Sequence, residues 1–142
     1  MNILIKRVNI LNNCITIMKK SNYKILAIIP ARSSSKSVKN KNIKKINNIP
    51  LIGYSINTAK KSKLINKIVV TTDSKKIKEL ALKFNAEVPF LRPKSIAKDN
   101  SRDIEFIKHT LKELKRRENY SPNVIVLLRP TLPFRNPTIV ES

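Results

Sequence analysis

The chain has 142 residues, 41% hydrophobic and only 5% aromatic, and its 30 lysines and arginines outnumber nine aspartates and glutamates to give a net charge of +21. That length suits one domain with a real core, and the apolar content excludes a disordered chain. The charge invites a nucleic-acid reading, but the lysines are scattered, zinc-ligand spacing and aromatic RNA-binding patterns are absent, and charge alone gives only nonspecific affinity.

The first 18 residues are apolar but broken by Lys6, Arg7 and several asparagines, and Met18 offers an alternative start, so residues 1–22 are set apart. They are expected to be an N-terminal extension without a structural role, ahead of a domain over 23–142. A signal peptide would need a cleaner apolar core and a cleavage site. No apolar run reaches the ~20 residues that span a bilayer, so no membrane partner is expected. Cys14 is the only cysteine, which excludes an internal disulfide and makes a reducing cytosol the default.

The continuous apolar run over 23–29 predicts a buried strand, which stops at Pro30 and opens into Ala31-Arg32-Ser33-Ser34-Ser35-Lys36-Ser37-Val38-Lys39-Asn40-Lys41-Asn42. Such a loop, rich in hydroxyls, amides and cations and free of carboxylates, suits a polyphosphate at a strand end. No acidic residue precedes Asp73, which places the anionic partner on the N-terminal side. A helix is predicted over 50–62, with Pro50 in its first turn, and a second strand over 67–72. Asp73 and Ser74 are good caps for an amphipathic helix over 74–84, where Ile77, Leu80, Ala81 and Phe84 recur at helical spacing.

Residues 87–91 read as a short strand and 92–100 as a proline-containing loop. Ser101 is the expected cap of a helix to about residue 118, with Ile104, Ile107, Leu111 and Leu114 on its buried face and the lone His109 exposed. One histidine excludes a multi-histidine metal site. A turn then leads into a third strand over 124–128. Apolar strands alternating with amphipathic helices predict an α/β fold with a mostly parallel sheet covered on both faces. Ligands of such sheets bind outside the C-terminal strand ends. There the loops ARSSSKSVKNKN, TTDS and RPTLPFR converge.

These loops carry a resemblance. The Ala31–Asn42 stretch is similar to the opening phosphate loop of the acylneuraminate cytidylyltransferase (CMP-sialic acid synthetase) family. Ile46-Asn47-Asn48-Ile49-Pro50, Thr71-Thr72-Asp73, Phe90-Leu91-Arg92-Pro93 followed by Asp99, and Leu128-Arg129-Pro130-Thr131-Leu132-Pro133-Phe134-Arg135 resemble four further landmarks in the family's order. The resemblance implies a Rossmann-like nucleotidyltransferase fold, here C-terminally incomplete. It also implies transfer of CMP from CTP to the anomeric hydroxyl of an acidic sugar of the sialic acid type, with loss of pyrophosphate. The expected setting is cytoplasmic, in bacterial cell-surface carbohydrate synthesis. A pseudaminic, legionaminic or 3-deoxy-octulosonic acid is an alternative substrate, and an inactive relative that binds polyanions nonspecifically is an alternative function.

By the same resemblance Arg32 and Lys41 are the catalytic cations on the triphosphate. Ser35, Lys36, Asn42 and Arg92 join them in binding the nucleotide. Asp73, Arg129, Thr131 and Arg135 face the sugar acid, although Asp73 reads equally well as a helix cap. An arginine can hold a carboxylate through two parallel hydrogen bonds. The family implies Mg2+ and a homodimer, but its metal-binding aspartates and dimerisation segment fall after the position of Ser142, so metal ligands are expected to be missing here. Ser33, Ser34 and Ser37 stand where the family has glycine, and Gly53 is the only glycine. If those serines were left-handed, each would cost about 1–2 kcal/mol.

Overall fold

The computed structural model describes residues 22–34 and 40–132 together with the backbone of residues 4–6. Six strands and three α-helices follow in chain order: β1 (Leu4–Lys6), β2 (Ile25–Pro30), β3 (Lys45–Ile46), β4 (Ile49–Pro50), α1 (Leu51–Lys61), β5 (Lys67–Thr71), α2 (Lys75–Lys83), α3 (Asp103–Glu118) and β6 (Val124–Leu127). The main sheet has the order β1-β6-β2-β5, and every pair in it is parallel. A mostly parallel sheet with helices is therefore present, as the apolar strands predict.

Strand β2 lies at the centre and shows why such a sheet needs two covers. Its side chains alternate: Ile25, Ala27 and Ile29 join one core with Ile52 and Ile56 of α1 and Ile77 and Ala81 of α2. Leu26 and Ile28 join the other, with Phe90 and with Phe106, Ile107 and Leu114 of α3. This is the period of two that every strand imposes. Both faces are apolar, which explains the unbroken apolar run.

Several expectations need correction. Leu4–Lys6 lies parallel to β6 in register with Val124–Val126, a pairing that the reading of 1–22 as an appendage did not anticipate. The strand expected over 87–91 is reduced to a single parallel bridge between Val69 and Glu87, since prolines at 89 and 93 remove ladder donors. Ser74 alone caps α2, its hydroxyl accepting from the Ile77 amide. Helix α3 begins after Arg102, not Ser101, and Glu105 closes its first turn by accepting from the Arg102 amide at 2.8 Å. Its buried face is Phe106, Ile107, Thr110 and Leu114, while Ile104 is exposed. His109 is half-buried rather than exposed, its ring set edge-on against Phe90 at 5.2 Å.

Backbone strain also falls elsewhere than expected. Among the described residues every left-handed position is an asparagine: Asn40, Asn47, Asn48, Asn85 and Asn119. Ser33 and Ser34 are not among them, so the predicted strain does not arise at either; Ser37 lies outside the described residues. Asn47 and Asn48 form the two-residue turn of the β3–β4 hairpin, which needs positive φ at both central positions. The single glycine serves packing: a Cβ on Gly53 would come within 2.8 Å of the Phe84 ring.

Candidate functional site

The C-terminal ends of β2 and β6 open on one cleft of about 300 Å3, near the lower bound of small-molecule sites. Pro30, Arg32, Ser34, Lys41 and Asn42 come from the loop after β2, and Arg129, Pro130 and Thr131 from the loop after β6. The opposite wall is the segment from Arg92 to Phe106, including Lys98, Asp99, Ser101 and Asp103. Five cationic side chains (Arg32, Lys41, Arg92, Lys98, Arg129) face two carboxylates, a surplus of three positive charges. A concave site of that charge is built for an anion.

The loop after β2 is pinned at several points. The Ala31 amide donates to the Thr71 carbonyl at 3.0 Å. Asp73 accepts from both the amide (2.7 Å) and the hydroxyl (2.5 Å) of Ser33. The Asn42 amide group donates to the Arg32 carbonyl at 3.0 Å. The Arg32 side chain crosses the cleft: Nη1 donates to the Lys98 carbonyl and Nη2 pairs with Asp99, each at 2.7 Å.

Arg92 is 5% exposed, and its charge is held by the strand end beneath it. Nε donates to Thr71 Oγ1 at 3.1 Å, Nη2 to the Thr71 carbonyl at 2.7 Å, and the guanidinium lies 4.6 Å over the Phe106 ring. Burial lowers its pKa to about 10, with Asp73 pulling the other way, so it stays protonated at neutral pH. On the β6 side Arg129 pairs with Asp103 at the start of α3.

Of the residues singled out by sequence, Arg32, Lys41, Asn42, Arg92, Arg129 and Thr131 come together around this cleft. Ser35, Lys36 and Arg135 lie outside the described residues. Asp73 does not line the cleft; its carboxylate is taken up by Ser33, and it does not cap α2. Sequence reasoning read Asp99 only as a family landmark and Asp103 only as a first-turn helix acid, and missed that they and the Lys98 carbonyl hold the arginines. The turn-forming run Lys98-Asp99-Asn100-Ser101 was the available signal. No group of three or more histidine, cysteine, aspartate or glutamate side chains that could hold a metal ion occurs among the described residues. No helix among them is long and apolar enough to cross a membrane.

Comparison with known proteins agrees with the geometry. The profile of a family described as cytidylyltransferase matches residues 26–141. The chain is 42% identical over 120 residues to the N-acylneuraminate cytidylyltransferase of Escherichia coli O18:K1:H7, covering 84% of this chain and 27% of that protein. It is 38% identical over 118 residues to the CMP-N,N'-diacetyllegionaminic acid synthase of Legionella pneumophila, covering 83% and 50%. The chain thus spans half or less of the length of these relatives. Among solved structures, CMP:2-keto-3-deoxy-manno-octonic acid synthetase complexed with CTP superposes with a TM-score of 0.66 at 19% identity, over 83% of this chain and 44% of that one. At that identity the likeness speaks for a shared Rossmann-like nucleotidyltransferase fold.

Proposed function

The chain belongs to the cytidylyltransferase family, and from that premise we propose that it forms the nucleotide-binding part of an enzyme that transfers CMP from CTP to an acidic sugar of the sialic acid type. The observation that carries this reading is the cleft at the strand ends, with five cations against two carboxylates. In the reaction the anomeric hydroxyl oxygen of the sugar bonds to the α-phosphorus of CTP. The bond from that phosphorus to the bridging oxygen breaks, pyrophosphate leaves with the electron pair, and the hydroxyl proton is released.

Such a transfer needs charge neutralisation and alignment more than covalent help. Arg32 and Lys41 hold the triphosphate and the charge that grows on the leaving pyrophosphate. Asn42 keeps the Arg32 backbone in place, as its 3.0 Å bond supports. Arg92, fixed on Thr71, supplies a positive floor that cannot swing away. Arg129 and Thr131 on the opposite lip receive the sugar acid, the arginine through its carboxylate. Ser35, Lys36 and Arg135 are proposed to extend these two sets, and the sugar is a sialic acid or a close relative such as a legionaminic or pseudaminic acid. Mg2+ and a homodimer are proposed for the complete enzyme on the family resemblance alone.

Calorimetric titration of the full chain with CTP, UTP, ATP and duplex DNA at physiological salt tests this. Tighter binding of CTP than of the other three is expected. Equal, steeply salt-dependent binding of every polyanion would replace it with nonspecific charge attraction.

A further inference from the structure

Ser101, displaced from its expected capping role, closes a turn instead. Its hydroxyl accepts from the Lys98 amide at 3.1 Å, and its own amide donates to the Lys98 carbonyl at 3.2 Å. That carbonyl also accepts from Arg32 Nη1, and the next residue, Asp99, pairs with Nη2. One short closed turn therefore grips both terminal nitrogens of a guanidinium that lies 66 residues away in the chain.

We propose that Asp99 is a positioning residue for nucleotide binding: with the Lys98 carbonyl it clamps one edge of the Arg32 guanidinium and leaves the other donors aimed into the cleft. This rests on the reading of the cleft as a triphosphate site. A guanidinium carries five N–H donors; the turn engages two, so three remain for phosphate oxygens. A free arginine side chain carries about 2 kcal/mol of rotamer entropy, which the clamp removes before the ligand arrives. The rest of Arg32 is fixed as well. Its carbonyl is held by Asn42, and the next residue is held by Asp73. The same wall treats the second lip alike, since Asp103 grips Arg129.

The proposal makes a prediction opposite in sign to simple electrostatics. A carboxylate beside an anion site repels the anion, and one that merely occupies Arg32 competes with it. On either account removing Asp99 tightens binding. As a positioning residue, its removal weakens binding.

The probe is inorganic tripolyphosphate, titrated calorimetrically into the full chain at fixed ionic strength, with melting temperature measured on every variant. Arg32→Ala is expected to weaken binding by about 10- to 100-fold, the range for hydrogen bonds to charged groups. Asp99→Asn is expected to weaken it about 3- to 10-fold without a shift in melting, and Asp99→Glu to restore most of the loss. In the Arg32→Ala background the Asp99→Asn loss should vanish or turn into a small gain. Unchanged or tighter binding by Asp99→Asn in the otherwise intact chain would overturn the proposal. So would a loss that persists undiminished without Arg32. Unchanged binding by Arg32→Ala would instead overturn the reading of the cleft, and the proposal with it.

Discussion

Two ion-pair clusters sit at opposite ends of the same sheet, and they differ in stoichiometry. At the N-terminal end of β5, Lys67 reaches both Glu87 (2.5 Å) and Glu118 (2.8 Å) and lies 5.4 Å over the Tyr120 ring, which Lys24 also approaches. Burial opposes the Lys67 charge, yet the bonds it donates to Glu118 and Glu87 outweigh it and raise its pKa. At the C-terminal end five cations share two carboxylates across an open cleft. The first cluster has an acid for each need and holds elements together. The second has charge left over, and surplus charge in a concave site is a binding capacity. Counting ion pairs alone would rank the two clusters equal.

Substitutions can break this contrast. The largest effect is expected at Arg92, which belongs to both categories. Arg92→Ala takes the guanidinium donor from the buried Thr71 hydroxyl, leaves the Thr71 carbonyl with the Ala31 amide alone, and empties space beside Phe106. A loss of about 3 kcal/mol in chemical denaturation is expected. A midpoint equal to that of the parent chain would show that the arginine is not structural. Next comes Arg129→Ala, expected to leave CTP binding unchanged while reducing affinity for the acidic sugar about tenfold. Titration with each ligand separately distinguishes a sugar role from a nucleotide role.

Lys67→Met sharpens the comparison from the other end. About 1 kcal/mol of stability should be lost, because Glu87 is half exposed and regains water, and CTP binding should not change. The sign of its pH dependence follows from the raised pKa. The Lys67 contribution is present at neutral pH and disappears as pH rises through and beyond the ordinary lysine range. The parent chain should therefore lose more stability than Lys67→Met in alkaline melts, and parallel curves would remove Lys67 from the account.

Ser33→Gly is expected to loosen the loop after β2 by about 1 kcal/mol, since the hydroxyl bond to Asp73 is lost and a flexible residue gained. Tighter CTP binding by this variant would revive the idea that serine strains the loop. The smallest effect is expected at Glu113. Bonds from Arg116 and then Arg117 lower its pKa to about 2, so its contribution holds above the ordinary carboxylate range and fades as pH falls toward 2. Glu113→Gln should flatten that acid limb slightly in thermal melts, with no change near neutrality.

Much of this architecture is legible along the chain. The run Ile25–Pro30 reads as a buried strand because both its faces are apolar. Helices α1, α2 and α3 are recovered to within a residue or two from apolar spacing. Strand-end position marks the loops after β2 and β6 as ligand-facing, and the family resemblance singles out Arg32, Lys41, Arg92 and Arg129. The errors share one origin. Ser101 has the chemistry of a cap and sits beside a helix start, but its hydroxyl is taken by Lys98. Asp73 likewise could cap α2, but Ser33 claims its carboxylate. Ile104 fits the helical stripe, yet α3 meets the sheet through Phe106 and Thr110 instead.

What the sequence determined by itself was therefore local: which segments are strands and helices, which loops are cationic, and which family pattern they carry. Periodicity and turn chemistry act within a few residues, so they are written where they act. Only the tertiary structure decided which donor meets which acceptor: Arg32 with Asp99, Arg129 with Asp103, Ser33 with Asp73, Lys67 with Glu87 and Glu118. Several partners compete for each polar group, and the choice among them depends on how the sheet brings distant segments together in space.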